Sequence, residues 1–199
     1  MTTLDRIIQA QELLGRSREQ SSSPEDKELY RLTIDALWFI WANGQVDELE
    51  SYRAEVAAGA PERVIASFTT RAEADIWLNT TPHPPNLALV LVAGEYHSVI
   101  YSRESSRRAL VADDSLEHHL EDMMKKGLPP AVAVFPTREA ADAWFHQKAD
   151  PPVQSVIRIG DDLSLAVSFR NIHRRVLFPF ARVERLRARR ARRPENATE

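Results

Sequence analysis

The feature that most constrains this chain is a duplication within it. Set against itself at an offset of 67 residues, the sequence matches without gaps. Phe68-Thr69-Thr70-Arg71 falls on Phe135-Pro136-Thr137-Arg138, and Ala74-Asp75-Ile76-Trp77 on Ala141-Asp142-Ala143-Trp144. Pro84-Pro85 falls on Pro151-Pro152, Arg103 on Arg170, and Arg107-Arg108-Ala109-Leu110 on Arg174-Arg175-Val176-Leu177. Thirteen of 45 aligned positions are identical. Two copies of one unit share one local plan, so each pattern can be checked twice.

In each copy a short apolar run, Arg63 to Phe68 or Ala131 to Phe135, suits a strand. Thr70 and Thr137 then stand as helix N-caps, and Glu73 completes a capping box in the first copy only. Ala74, Trp77 and Leu78 form an apolar face at helical spacing, repeated by Ala141, Trp144 and Phe145. Arg71/Asp75 and Arg138/Asp142 can meet across one helical turn, as surface pairs of small worth. The paired prolines end each helix. Leu87 to Ala93 and Tyr96 to Tyr101 read as two strands around Gly94-Glu95, matched by Val153 to Ile159 and Leu163 to Phe169. Ser115 to Lys126 closes the first copy as a helix, and the Arg-rich stretch Phe180 to Arg193 closes the second. The unit is βαββα, and the two copies supply six strands in one or two mainly antiparallel sheets.

The first 60 residues read as helices. Leu4, Ile7, Ile8 and Leu14 predict a short amphipathic helix ending at Gly15, followed by a Ser21-Ser22-Ser23 linker. Ser23-Pro24-Glu25-Asp26 is a strong start signal, with Asn43-Gly44 as the stop. Leu37 to Trp41 is apolar all round and should be buried. A third helix follows through Val46, Leu49, Tyr52 and Val56. The expected fold class is α+β. A helical N-terminal region (1–60) precedes two tandem βαββ(α) repeats (61–127 and 128–193), with 194–199 as a tail.

Composition narrows the function. The chain of 199 residues has no cysteine, which excludes disulfides, thiol catalysis and Cys-ligated metal. No Gly-x-Ser-x-Gly elbow, phosphate loop or dinucleotide fingerprint is present. His118 and Asp122, four apart, are the best metal candidate, but no third ligand accompanies them. No catalytic residue, cofactor or metal is therefore assigned. Trp77 and Trp144 read as core side chains packed on the sheet. There is no leader-like N-terminus, and the apolar stretch Ile34 to Ala42 is far shorter than the roughly 20 residues of a membrane span, so a cytoplasmic protein is expected.

The net charge of −3 hides a strong polarity. Residues 1–62 carry six basic and 12 acidic side chains, whereas residues 170–193 carry ten arginines and one acid. Arg182, Arg185, Arg189 and Arg193 recur at helical spacing, with Arg187 and Arg190 beside them. Arg174, Arg175, Arg182, Arg185, Arg189, Arg190 and Arg193 are the candidate partner-binding residues, since arginine favours bidentate contacts to carboxylate or phosphate. The functional expectation is a non-catalytic protein that recognises another protein, as adaptors, immunity proteins and assembly components do. Nucleic-acid binding through the Arg-rich end is the alternative, and an enzyme of unknown type the third.

The doubled Phe-x-Thr-Arg-x-x-Ala-Asp-x-Trp module follows Leu-Tyr-Arg-Leu-x-Ile-Asp-Ala-Leu-Trp-Phe-Ile-Trp. Together they resemble a myxobacterial family whose members are sometimes labelled "head protein", over about Leu4 to Phe180. That label implies no activity and assigns no site residue. A narrower likeness, over Val64 to Trp77 and Val132 to Trp144, is to glycan-binding SPOR repeats.

Overall fold

The computed structural model describes residues 1–192. Arg193 and the tail 194–199 lie outside the described residues, as do the side chains of Arg189 and Arg192. The chain divides into a helical unit, Met1–Gly59, and a second unit from Ala60 onward. The fold is α+β.

In the helical unit, α1 (Thr3–Gln20) opens on a capping box in which Thr2 and Asp5 satisfy each other's backbone amides. It runs on past Gly15, where the sequence suggested a stop. One glycine costs a helix about 1 kcal/mol, and the polar residues Arg16 to Gln20 sustain the helix beyond it. Helix α2 (Pro24–Ala42) begins as expected, with the Ser23 hydroxyl accepting from the Asp26 amide at 3.2 Å. It ends at Asn43 and at Gly44, whose φ of +68° suits glycine. Helix α3 spans Val46–Ala57.

Helices α1 and α2 pack together, and of their less exposed apolar side chains (Ile7, Ala10 and Leu14 on α1, Tyr30, Ile34 and Leu37 on α2) only Ile7 is fully buried. No residue of α2 is buried. This corrects the expectation for Leu37 to Trp41: Trp38, Phe39 and Trp41 are 48–63% exposed. The reason is numerical. Helix α2 is apolar over more than half its circumference, and the single seam of α1 with the short α3 covers only part of it.

The second unit repeats its elements at the spacing of the sequence match. The first copy is β1 (Val64–Phe68), α4 (Arg71–Thr80), β2 (Leu89–Val92), β3 (Glu95–Tyr101), β4 (Arg108–Ala112) and α5 (Ser115–Lys126). The second is β5 (Val134–Phe135), α6 (Arg138–Gln147), β6 (Gln154–Ile159), β7 (Asp162–Phe169), β8 (Arg174–Pro179) and α7 (Arg182–Arg192). The starts of α4 and α6, of β3 and β7, and of α5 and α7 are each 67 residues apart.

Each copy forms its own four-stranded sheet, in the orders β1-β2-β3-β4 and β5-β6-β7-β8. The first pair in each is parallel, joined by the crossover helix that parallel strands require. The other pairs are antiparallel. Each sheet thus has one strand more than the three read from the sequence. The added strands, β4 and β8, begin on paired arginines, which mask the strand pattern. Their inward residues Leu110 and Leu177 are 5% and 2% exposed.

Side chains alternate between two cores, as strand geometry dictates. Leu89 and Leu91 of β2 and Leu165, Val167 and Phe169 of β7 meet in a core shared by the two copies, with Tyr96, Leu116, Leu120, Phe178 and Val183. Val90 and Val92 point the other way, onto Ala74 and Leu78 of α4. Ile157, Ala166 and Leu177 do the same against Ala141 and Phe145 of α6. The layers run helix, sheet, sheet, helix. A bulge in β1 between Val64 and Ser67 lets Val64 enter the shared core while Ala66 and Phe68 face α4. Trp77 and Trp144 are half-buried against Phe68 and Phe135, at ring separations of 5.4 and 5.1 Å.

Candidate functional site: the Arg-rich end and its neighbours

The Arg-rich segment sorts into three groups by what the arginines touch. Arg175 fastens the end of a helix. Its guanidinium donates to the carbonyls of Phe145 and His146, both at 2.7 Å, satisfying the acceptors that the end of α6 leaves over. Arg108, its match in the first copy, does the same for Leu78 and Thr81 at the end of α4. Arg71 and Arg138 also match in role, donating to the carbonyls of Leu110 and Leu177. Each further pairs with an aspartate, Arg71 with Asp75 at 2.9 Å and Arg138 with Asp142 at 3.6 Å. The matched pairs Arg71/Arg138 and Arg108/Arg175 are thus part of the shared architecture.

Arg182 is the reverse case. It aligns with Ser115, so the second copy alone carries it. It is 6% exposed at the start of α7. Its Nε donates to Glu117 Oε1 at 3.0 Å, its Nη1 to the Gly94 carbonyl at 3.3 Å, and its Nη2 to Glu95. Glu117 is itself 4% exposed, on α5. A cation of the second copy is therefore held inside carboxylates of the first.

The rest of α7 follows this pattern. Phe180, Val183 and Leu186 are 5%, 0% and 2% exposed. Arg187 and Arg190 both reach Glu121, at 3.2 and 3.1 Å, and Lys125 joins at 3.3 Å. The Arg187 guanidinium, with Lys125 and Arg190, draws the Glu121 carboxyl down from the ordinary 4.5 to about 2. A carboxyl lowered on folding contributes stability that is fully present above the ordinary value and lost as pH falls through the folded one. Thermal melts should therefore show a decline between about pH 4.5 and pH 2 that Glu121→Gln makes shallower. An identical pH profile for the variant would separate Glu121 from acid stability.

Two candidates remain on the surface. Arg174 is exposed, and Arg185 is 63% exposed by side chain, 3.7 Å from Glu95. Arg189 lies on α7, and Arg193 lies outside the described residues.

A groove of about 450 Å³ has Phe68 and Ala93 on one side and Arg138, His146, Arg174 and Arg175 on the other. Its polar groups are largely engaged: Arg138 and Arg175 hold the contacts above, and His146 Nδ1 donates to the Asp142 carbonyl at 2.8 Å. His118 and Asp122 are exposed on α5, and Asp122 pairs with Lys125 at 3.3 Å. Half-buried His119 beside them lies 3.4 Å from the Gln154 amide oxygen, and burial pushes its pKa down. Among the described residues no three His, Asp or Glu side chains gather as a metal site, and no helix is long and apolar enough to cross a membrane.

The sequence pattern did not mark a second surface. On α2, Leu29 and Leu32 are 62% and 63% exposed, and Trp38 packs edge-on against Trp41 at 4.8 Å between ring centres. The signal was present in the heptad spacing of Leu29, Leu32, Ala36 and Phe39, beside a second seam of Tyr30, Ile34 and Leu37. A helix with two apolar seams needs two partners. No family model matches this chain, and no curated protein or solved structure is similar to it.

Proposed function

We propose that this chain is a non-catalytic intracellular binding protein whose partner is another protein, in the manner of an adaptor, an immunity protein or an assembly component. The observation that carries this reading is the surface of α2. Its Leu29, Leu32, Trp38, Phe39 and Trp41 are all 48–63% exposed. Leu29, Leu32 and Phe39 share one side of the helix, and large apolar side chains exposed along one face of a small acidic unit mark a protein-recognition surface. In the groove beside Arg138, that arginine, Arg175 and His146 are held by backbone carbonyls, which supports the non-catalytic part.

Among the described side chains of the Arg-rich segment, Arg174 and Arg185 are the ones left to the nucleic-acid reading, because Arg175, Arg182, Arg187 and Arg190 hold contacts within the chain. Truncation after Phe180 is an unsuitable test, since it would strip Val183 from the shared core. The experiment uses the tagged full chain expressed in its native cell. One polypeptide should co-purify at fixed stoichiometry and withstand 0.5 M salt. Retention on heparin should be weak and unaltered by Arg174→Ala/Arg185→Ala. Salt-sensitive nucleic acid in place of a polypeptide would overturn the reading.

A further inference from the structure

We infer that the outer face of α2 is a docking groove for a basic amphipathic helix of a partner protein. This rests on the reading of the chain as a protein-binding protein and names the surface and the chemistry that fits it.

The face has the geometry of one half of a helical seam. Leu29, Leu32, Ala36 and Phe39 recur at spacings of three, four and three residues, the pattern that presents knobs to a facing helix. All four are exposed. The second seam of the same helix, Tyr30, Ile34 and Leu37, is half-buried, so the outer stripe is additional to what holds the unit together. A helix laid in such a stripe is read through anchors at i, i+3 and i+7, and Leu29, Leu32 and Ala36 stand at those steps.

Charge selects the occupant. Residues 1–59 carry 11 acidic and six basic side chains, a net of −5. Glu28 and Asp35 immediately precede the heptad positions Leu29 and Ala36, where a coiled coil places the charges that choose its partner. Both are about two-thirds or more exposed, with Arg31 between them at 4.0 and 3.9 Å. Two copies of this face would set like charges side by side, and an anionic lipid surface would meet the same repulsion. A helix with lysine or arginine beside its apolar stripe meets complementary charge. The second unit contains an example of this pairing. Basic α7 seats Val183 in the core while its arginines reach Glu117 and Glu121 of α5.

The probe is a synthetic helical peptide of about three heptads, with leucine at a and d and lysine or arginine at e and g. A second peptide of the same apolar pattern with glutamate flanks is the control. Fluorescence anisotropy with the full-length chain should give a dissociation constant of roughly 1–100 μM for the basic peptide and none measurable for the acidic one. Leu32→Ser/Phe39→Ser should weaken binding at least about tenfold. The helical signal and melting temperature should hold, since both residues are 63% exposed. Glu28→Lys/Asp35→Lys should turn the preference towards the acidic peptide.

Equal binding of both peptides, or of neither, overturns the inference. A dimer in sedimentation that Leu32→Ser/Phe39→Ser abolishes would assign the face to a second copy. Flotation with phosphatidylcholine–phosphatidylglycerol vesicles would assign it to lipid. If a natural partner co-purifies equally well with Leu32→Ser/Phe39→Ser, the groove fails while the broader reading stands. If the peptide binds but no polypeptide co-purifies, the broader reading fails, and with it the assignment of the groove to a partner protein.

Discussion

Arg182→Ala should destabilise the unit from Ala60 onward by about 3–5 kcal/mol, the cost of leaving a buried carboxylate without its cation. The victim is Glu117, which is 4% exposed and takes the Arg182 Nε at 3.0 Å. Arg182→Lys should recover only part of the loss. A lysine ammonium is a single point, whereas the guanidinium here reaches Glu117, the Gly94 carbonyl and Glu95 in three directions. Removing both charges should behave differently. Arg182→Met/Glu117→Leu leaves no orphaned ion, and such replacements are often neutral or stabilising by 1–4 kcal/mol. Urea unfolding followed by far-ultraviolet circular dichroism measures all three. A loss below 1 kcal/mol for Arg182→Ala would mean that solvent reaches Glu117 after all.

Phe178→Ala should cost about 3–5 kcal/mol, the range for truncating a fully buried aromatic ring. Phe178 is 0% exposed, 6.2 Å from the Tyr96 ring of the first copy and 6.4 Å from Phe169 of the second. Its loss therefore opens a cavity where the two sheets meet. Because one cluster takes residues from both, the copies should unfold together. Hydrogen exchange reads this directly: amide protection in β2 and in β6 should fall by the same factor in the variant. Protection that persists in β2 while β6 exchanges freely would show that the first copy stands by itself.

These two positions also show where sequence reading stops. The copies, their strands around the two hairpins, and the N-caps Ser23, Thr70 and Thr137 were legible, because each depends on residues close in the chain. Thr70 accepts from the Glu73 amide at 3.2 Å, and Thr137 from the Ala140 amide at 3.3 Å, as the cap pattern implied. The full capping box occurs in the first copy and not in the second, again as the Glu73/Ala140 difference required.

What the sequence left open depends on distance in space. An arginine run looks the same whether it faces water or a buried glutamate, and Glu117 lies 65 residues before Arg182. The strands β4 and β8 were missed because Arg108 and Arg175, beside their inward leucines, turn back to cap α4 and α6. The apolar stretch of α2 was read as a demand for burial. It was instead a surplus, because α1 offers one seam to a helix that has two.

The asymmetry at position 182 has a consequence for how this duplication can be rearranged. Among the described residues, every side-chain hydrogen bond from α7 to α5 and to Glu95 runs from a cation of the second copy to an acceptor of the first. The halves are therefore not interchangeable parts. A chimera built from two first copies would place a serine where Arg182 stands, and Glu117 would lie buried without a counter-ion. The duplication has acquired a direction, and the order of its halves is now part of the fold.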